Sequence, residues 1–291
     1  MCLAEAGGSV DGVEGIVMIR VEGLIFQYDM KEDPVLNQIS VDIEAGAYIG
    51  VIGSNGCGKT TFVRHLDGLL LPTTGDVWVE GMNTKDPDSV PKIRQMVGMV
   101  FQNPDNQIVG MSVEEDVSFG PGNLRLPPSE IKKRVAESLE LVGMKKYAKR
   151  PPHTLSNGEK QLVAIAGVLA MAPKHIVLDE PTAYLDPSGQ KRVLDVITKL
   201  NKQGITIIHV THDMDEVARA DEIFVMNEGR IVLKEKPAEV FLRVEWLKDL
   251  GLGVPKVTEL MWQLREMGRH VQTNVFTLED ACIELGDLLR G

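Results

Sequence analysis

The segment Gly53-Ser54-Asn55-Gly56-Cys57-Gly58-Lys59-Thr60-Thr61 fits the phosphate-cradling pattern G-x-x-x-x-G-K-[ST] at every fixed position. Its glycines let the backbone wrap closely enough for N–H groups to point at phosphate oxygens. Lys59 adds a compact positive charge, and the Thr60 hydroxyl is a ligand for Mg²⁺. By chance the pattern arises in roughly one chain in a hundred of this size, and its surroundings narrow that further. Residues 47–52 form a short apolar run suited to a buried strand, and 61–66 open a helical pattern. Strand, glycine loop and helix stand in the order that nucleotide binding requires.

A second pair of groups fits the same chemistry. The apolar run 175–178 ends in Asp179-Glu180, so two carboxylates stand side by side at the carboxyl end of a parallel strand, the edge where ligands of such sheets bind. Asp179 suits Mg²⁺ held through water, and Glu180 suits aligning and deprotonating an attacking water. The plain alternative is an acidic strand end facing solvent.

These groups need a scaffold. Residues 17–28 and 35–43 mix apolar and polar positions at strand spacing, with a turn at Glu44-Ala45-Gly46-Ala47 before the phosphate-loop strand. Runs 175–178 and 205–210 are almost wholly apolar, as in a parallel sheet covered on both faces. Residues 128–142 and 158–171 read as helices beside that sheet, and 222–233 as a hairpin turning at 227–229. The expected architecture is α/β, with an antiparallel β section and a mostly parallel core sheet. A nucleotide-binding domain spans 18–240 and contains a helical subdomain over about 103–171; a helical appendage spans 241–291, and residues 1–17 are either a flexible tail or the result of an upstream start site.

Composition excludes several classes. With 31 basic against 42 acidic residues, the net charge of −11 argues against gripping nucleic acid or anionic lipid by bulk charge. The longest apolar stretch, 162–173, falls short of the roughly 18 residues of a membrane span, so membrane association is expected only through a partner. The opening residues lack the basic start and apolar block of a secretory signal, and the chain is expected in the cytoplasm. Cys2, Cys57 and Cys282 are too few and too scattered for a zinc site or a disulfide framework. Cys57 is either a small inert loop residue or a thiol whose pKa is lowered by Lys59 and the loop dipoles.

Further motifs follow in order. Gln102 stands in Val100-Phe101-Gln102-Asn103-Pro104; Leu155-Ser156-Asn157-Gly158-Glu159 leads into a helical pattern; Tyr184-Leu185-Asp186 and Thr211-His212-Asp213 follow the carboxylate pair. On these motifs, which run from 18 to 233, the chain resembles the ATP-binding subunits of ABC transporters. The resemblance implies the P-loop NTPase fold of ABC ATPases, with ATP held by Tyr28, Gly53, Ser54, Asn55, Gly56, Cys57, Gly58, Lys59, Thr60, Thr61 and Gln102. It implies Mg²⁺ held by Thr60, Gln102 and Asp179, Glu180 as the base and His212 as the switch histidine. It further implies a head-to-tail dimer in which Ser156, Asn157, Gly158 and Glu159 contact the ATP of the other subunit and Asp186 lies on the loop between subunits. Tyr28 would stack on adenine or serve as an ordinary strand aromatic, His212 alone would be a structural histidine, and Ser156 also fits a helix N-cap. Asn157 stands where the family has glycine and Glu159 where it has glutamine. A side chain at 157 reduces backbone freedom, and an inward carboxylate at 159 would repel phosphate.

Residues 103–109 and 113–121 resemble, more specifically, the energy-coupling-factor ATPases that drive uptake of vitamins or of cobalt and nickel ions. That resemblance implies a transmembrane coupling subunit, whose helices would dock beside Gln102 in a groove to which Asp116 lends ionic guidance and Phe119 apolar surface. It also implies a solute-binding membrane subunit and a second ATPase, identical or related, with the assembly peripheral at the cytoplasmic face. At the C-terminus, Val257, Leu260, Met261, Leu264 and Met267 form one helical stripe after Pro255. Leu278, Ala281, Cys282, Leu285 and Leu288 form a second, opened by Thr277 and Asp280 in a capping pattern. Packing on the chain's own core and contact between two ATPases both suit these stripes. The competing functions are another ABC importer or exporter and a soluble ABC ATPase acting on DNA or ribosomes.

Overall fold

The computed structural model describes residues 17–290. The expected tail, with Cys2 in it, lies outside these residues except for Val17, which opens the first strand.

Two sheets carry the fold. The first is antiparallel and built from β1 (Val17–Phe26), β2 (Leu36–Glu44), β4 (Thr74–Val79) and β5 (Met82–Asn83), in the order β2-β1-β4-β5. The second contains β3 (Tyr48–Gly53), β6 (Val97–Val100), β7 (His175–Asp179), β8 (Thr206–Val210), β9 (Glu222–Asn227) and β10 (Arg230–Glu235), in the order β10-β9-β3-β8-β7-β6. From β9 to β6 all neighbours run parallel, and β10 folds back on β9 as the expected hairpin. The helices are α1 (Lys59–Leu66), α2 (Val90–Met96), α3 (Val113–Asn123), α4 (Pro128–Leu141), α5 (Asn157–Leu169), α6 (Pro187–Lys202), α7 (Met214–Val217), α8 (Pro237–Phe241), α9 (Val244–Asp249), α10 (Lys256–Glu266) and α11 (Leu278–Arg290).

The strands of the parallel sheet are apolar on both faces because both are covered. Successive side chains alternate sides. Ile176 and Leu178 of β7, with Ile207 of β8, enter a core shared with α5 and α6 through Leu162, Ile165 and Val193. Val177, Ile208 and Val210 enter a second core, where Phe62 and Leu66 of α1 meet Ile19, Leu24 and Ile43 of the antiparallel sheet. Each fully buried aliphatic side chain contributes about 1.5–3 kcal/mol relative to exposure. That burial holds β3, β7 and β8 in register, and with them the loops at their carboxyl ends.

Among the described residues α3, α4 and α5 form the helical layer beside β6 and β7, while α10 and α11 form the appendage. The two apolar stripes are narrower than their spacing suggests. Val257, Met261 and Leu264 meet Val271, Val275, Ala281 and Leu285 in a small separate core. Thr258 Oγ1 ties this seam by donating to the Val275 carbonyl at 2.6 Å, and Thr277 caps α11 by accepting from Asp280 N at 3.3 Å. Leu260, Met267, Leu278 and Cys282 face solvent instead; two short helices touch along one seam only. The Leu288 side chain lies outside the described residues. The appendage meets the body through Trp262 and Phe276, which pack against the core of α5 and α6. At the surface it does so through Lys256, whose Nζ lies 2.8 Å from Asp215 and 3.8 Å from Asp213, and through Arg219 and Glu279 at 2.6 Å.

Helix α7 lies so close to β3 that a Cβ at Gly50 would stand 2.8 Å from Val217 Cβ and 3.0 Å from its Cγ1. Both groups sit on buried backbone, so one must move. Gly50→Ala is expected to lose about 1–3 kcal/mol of unfolding free energy through overpacking, read from denaturant titration; a variant as stable as its parent would remove that contact from the account.

Candidate functional site

The order β3-β8-β7-β6 sets four carboxyl ends in a row. After β3 comes the glycine loop; after β8, Thr211-His212; at the end of β7, Asp179-Glu180; after β6, Gln102. Motifs far apart in sequence thereby meet on one edge, lining an open cleft with Val35, Asn55, Gly56, Gly58, Lys59, Thr60, Thr61, Gln102, Glu180 and His212. Val35 was not signalled by any motif; it enters because the chain after β1 folds over the glycine loop, where a Cβ at Gly58 would lie 3.0 Å from the Val35 carbonyl.

Within the loop, Gly56 and Gly58 take φ of +80° and +105°, in the left-handed region where glycine alone is unstrained. Gly58 is the N-cap of α1 and has no side-chain cap, so the first N–H groups of the helix are left to an external acceptor. Lys59 is buried along its stem and donates from Nζ to the carbonyls of Gly53 at 2.7 Å and Ser54 at 3.0 Å. Thr60 Oγ1 donates to Asp179 Oδ1 at 3.0 Å. Burial pushes the Asp179 carboxyl up, as does neighbouring Glu180, against the pull of Thr60, Arg64 and Lys59. A cation beside it would favour its charged form. Hydroxyl, carboxylate and amide oxygen are hard donors of the kind Mg²⁺ prefers.

Glu180 is held at φ +48°, a strained conformation for a residue with a side chain. Its N–H donates to the Val210 carbonyl at 2.9 Å. Its Oε2 accepts from Gln102 Nε2 at 2.9 Å and lies 3.4 Å from His212 Nδ1. Residues from the ends of three strands thus converge on one carboxylate oxygen.

Tyr28 lies beyond the end of β1, so the strand-aromatic alternative does not hold. Its ring is 59% exposed, stands edge-on to Phe26, and its hydroxyl lies 3.2 Å from Thr61 Oγ1. Ser156, Asn157, Gly158, Glu159 and Asp186 do not line the cleft. Ser156 caps α5 in a full capping box: its Oγ accepts from Glu159 N at 3.3 Å, and Glu159 Oε2 accepts from Ser156 N at 3.0 Å. The expected repulsion from Glu159 is therefore answered locally, since its carboxylate turns back on the helix start and that backbone bond holds it below the usual glutamate range. Asn157 occupies the first helical position, where φ is ordinary, and its Nδ2 reaches the Tyr184 carbonyl at 3.4 Å. Its side chain consequently costs no needed backbone freedom. At Gly158 a Cβ would meet Gly189 Cα at 3.1 Å, and Asp186 caps α6 by accepting from Gly189 N at 3.3 Å.

The expected ionic guidance from Asp116 is corrected. Its carboxylate is buried and accepts the amides of Val109 at 2.8 Å and Gly110 at 2.9 Å, so it shapes the loop rather than facing a partner. That loop and α3 expose three apolar side chains, Val109, Met111 at 86% and Phe119 at 58%, among polar ones that include Asp105 and Glu115.

A family model described as "ABC transporter" matches residues 36–183. The chain is 53% identical over 268 residues to the cobalt import ATP-binding protein CbiO of Syntrophus aciditrophicus, spanning 92% of this chain and 96% of that protein. It is 53% identical over 267 residues to the energy-coupling factor transporter ATP-binding protein EcfA1 of Caldanaerobacter subterraneus subsp. tengcongensis, spanning 90% and 96%. Among solved structures, cbiO1 from Clostridium perfringens, described as part of the ABC transporter complex cbiONQ, superposes with a TM-score of 0.74 at 40% identity, covering 84% of this chain and 99% of that one.

The reactive-thiol alternative for Cys57 fails in this geometry. The side chain is 6% exposed; burial pushes the thiol up, and Lys59 offsets this only in part. Because the thiolate is the nucleophile, a thiol reagent at neutral pH is expected to modify exposed Cys282 at least about tenfold faster than Cys57. Peptide mapping after timed labelling checks this, and preferential modification of Cys57 would restore the activated-thiol reading.

Proposed function

The chain belongs to the ABC transporter family, and from that premise we propose that it is the ATP-binding and ATP-hydrolysing subunit powering an energy-coupling-factor importer. The observation that carries the catalytic part is the convergence of Gln102 Nε2 and His212 Nδ1 on Glu180 Oε2 beside the glycine loop. The open N–H groups at the start of α1 bind the phosphates of ATP, and Lys59 sets its charge against them. The exposed ring of Tyr28, fixed next to Thr61, stacks on the adenine.

Thr60, Asp179 and, through its amide oxygen, Gln102 hold Mg²⁺, which when bound neutralises phosphate charge. Glu180 takes a proton from the attacking water. Gln102 and His212 orient its carboxylate, and the left-handed backbone at Glu180 keeps it at the mouth of the cleft. Gln102 also begins the stretch that leads to Met111 and Phe119, so nucleotide state and the exposed apolar surface lie on one segment.

Ser156 and Gly158 stand outside their own chain's cleft. A head-to-tail pair, of identical or related ATPases, sets the start of α5, with the Asn157 and Gly158 N–H groups that its capping box leaves open, against the phosphates bound by the other subunit. Among the described residues no helix is long and apolar enough to cross a membrane. Val109, Met111 and Phe119 supply the surface for a transmembrane coupling subunit, and through it for a solute-binding membrane protein; on this reading the chain is peripheral at the cytoplasmic face. The solutes of this reading are vitamins or cobalt and nickel ions, of which cobalt stands in the name of one relative.

Glu180→Gln is expected to keep ATP affinity within about twofold and to lose about a hundredfold or more in hydrolysis, with the ATP-bound protein eluting as a dimer in size-exclusion chromatography. Hydrolysis at the parent rate would contradict the assigned base. Met111→Asp combined with Phe119→Asp is expected to abolish recovery of a transmembrane subunit when the tagged chain is extracted gently from native membranes, leaving ATP binding intact. Mass spectrometry of the parent's partners names the solute-binding protein; recovery of ribosomes or DNA alone would overturn the transport reading.

A further inference from the structure

Glu216 belongs to none of the motifs above and does not line the cleft, yet its side chain is only 5% exposed. Thr182 Oγ1 donates to its Oε1, and Thr211 Oγ1 donates to its Oε2 at 2.7 Å. His209 Nε2 lies 3.3 Å from the same Oε2. Tyr48 Oη stands 2.9 Å from His209 Nδ1 and 3.3 Å from the Glu216 main-chain carbonyl. Burial works against a charge at Glu216, but His209 and the two threonine hydroxyls together hold its carboxyl below the ordinary range.

What this carboxylate joins gives it its interest. Thr182 follows Glu180 by two residues, and Thr211 immediately precedes His212. The segments after β7 and β8 already share the backbone bond from Glu180 N to the Val210 carbonyl. Glu216 adds a second, side-chain link between them from beneath. A strained backbone such as that of Glu180 persists only where its surroundings over-determine it, and two links between the same two segments do that. Displacing either threonine would leave part of a buried carboxylate without its donor.

We propose that Glu216 is a positioning residue for ATP hydrolysis: by clamping Thr182 to Thr211 it fixes the Glu180 carboxylate against the His212 ring. It stands outside the cleft lining and acts through those two residues. The inference rests on reading Glu180 and His212 as the hydrolytic pair, and the experiment includes a control for that reading.

Single-turnover hydrolysis, ATP affinity and melting temperature are measured on the full chain and on Glu216→Gln, Thr182→Val, Thr211→Val and Glu180→Gln. Glu216→Gln keeps size but exchanges one carboxylate oxygen for an amide NH₂ that cannot accept, so only one of the two threonines keeps its acceptor. Its chemical rate is expected to fall about ten- to a hundredfold, with ATP affinity within about twofold of the parent. A merely structural residue would lower rate and affinity together. Rates at the parent level, or a loss of affinity matching the loss of rate, overturn the inference. Should Glu216→Gln not fold, the two valine variants decide: each removes one hydroxyl at nearly constant shape. A fall of about three- to tenfold in rate at unchanged affinity supports the clamp, and parent rates overturn it. Glu180→Gln hydrolysing at the parent rate sinks the underlying reading and the clamp with it, whereas an inert Glu180→Gln beside a fully active Glu216→Gln sinks the clamp alone.

Discussion

Everything in the site depends on parallel pairing. Four neighbouring strands, β3, β8, β7 and β6, run the same way, so their carboxyl ends share one edge. The glycine loop, His212, Glu180 and Gln102 meet there although more than a hundred residues separate the first from the third. An antiparallel neighbour in that row would carry its terminal group to the opposite edge. The pairing in turn rests on burial of both sheet faces, so the two apolar cores hold the strands on which the polar contacts of the cleft are built.

Backbone elements were legible where pattern and chemistry agreed. The run 47–52, the glycine loop and the helical pattern after it correspond to β3, the loop and α1 because hydrophobic run length, glycine spacing and order all point the same way. The hairpin of β9 and β10 follows from two strand-like runs flanking Asn227-Glu228-Gly229. Directions of side chains were less legible. Asp116 reads as a surface charge, but two backbone amides turn it inward. Cys57 reads as a thiol beside a lysine, but desolvation outweighs that charge. Leu260 and Met267 share a stripe with Met261, but only one seam of the helix finds a neighbour. In each case the deciding partner is distant in sequence or is a main-chain group, and neither leaves a periodic mark.

Three polar contacts in and around the site link function to local order. The Thr60 hydroxyl meets Asp179, Gln102 meets Glu180, and Glu159 closes on its own helix start. Each bond removes a cost of burial while fixing an orientation. The left-handed backbone of Glu180 is the exception, a strained point kept at the edge where the row of loops converges. Such a conformation survives because Val210 and its neighbours hold both sides of it.

The near contact between Gly158 and Gly189 joins the starts of α5 and α6 at backbone distance. Ser156 caps one helix and Asp186 the other, and Asn157 bridges to the Tyr184 carbonyl between them. With no side chain to act as a cushion, neither helix start can tilt without carrying the other. The two helix starts therefore pack backbone to backbone, and a side chain at Gly158 would push them apart and reshape the surface they form together.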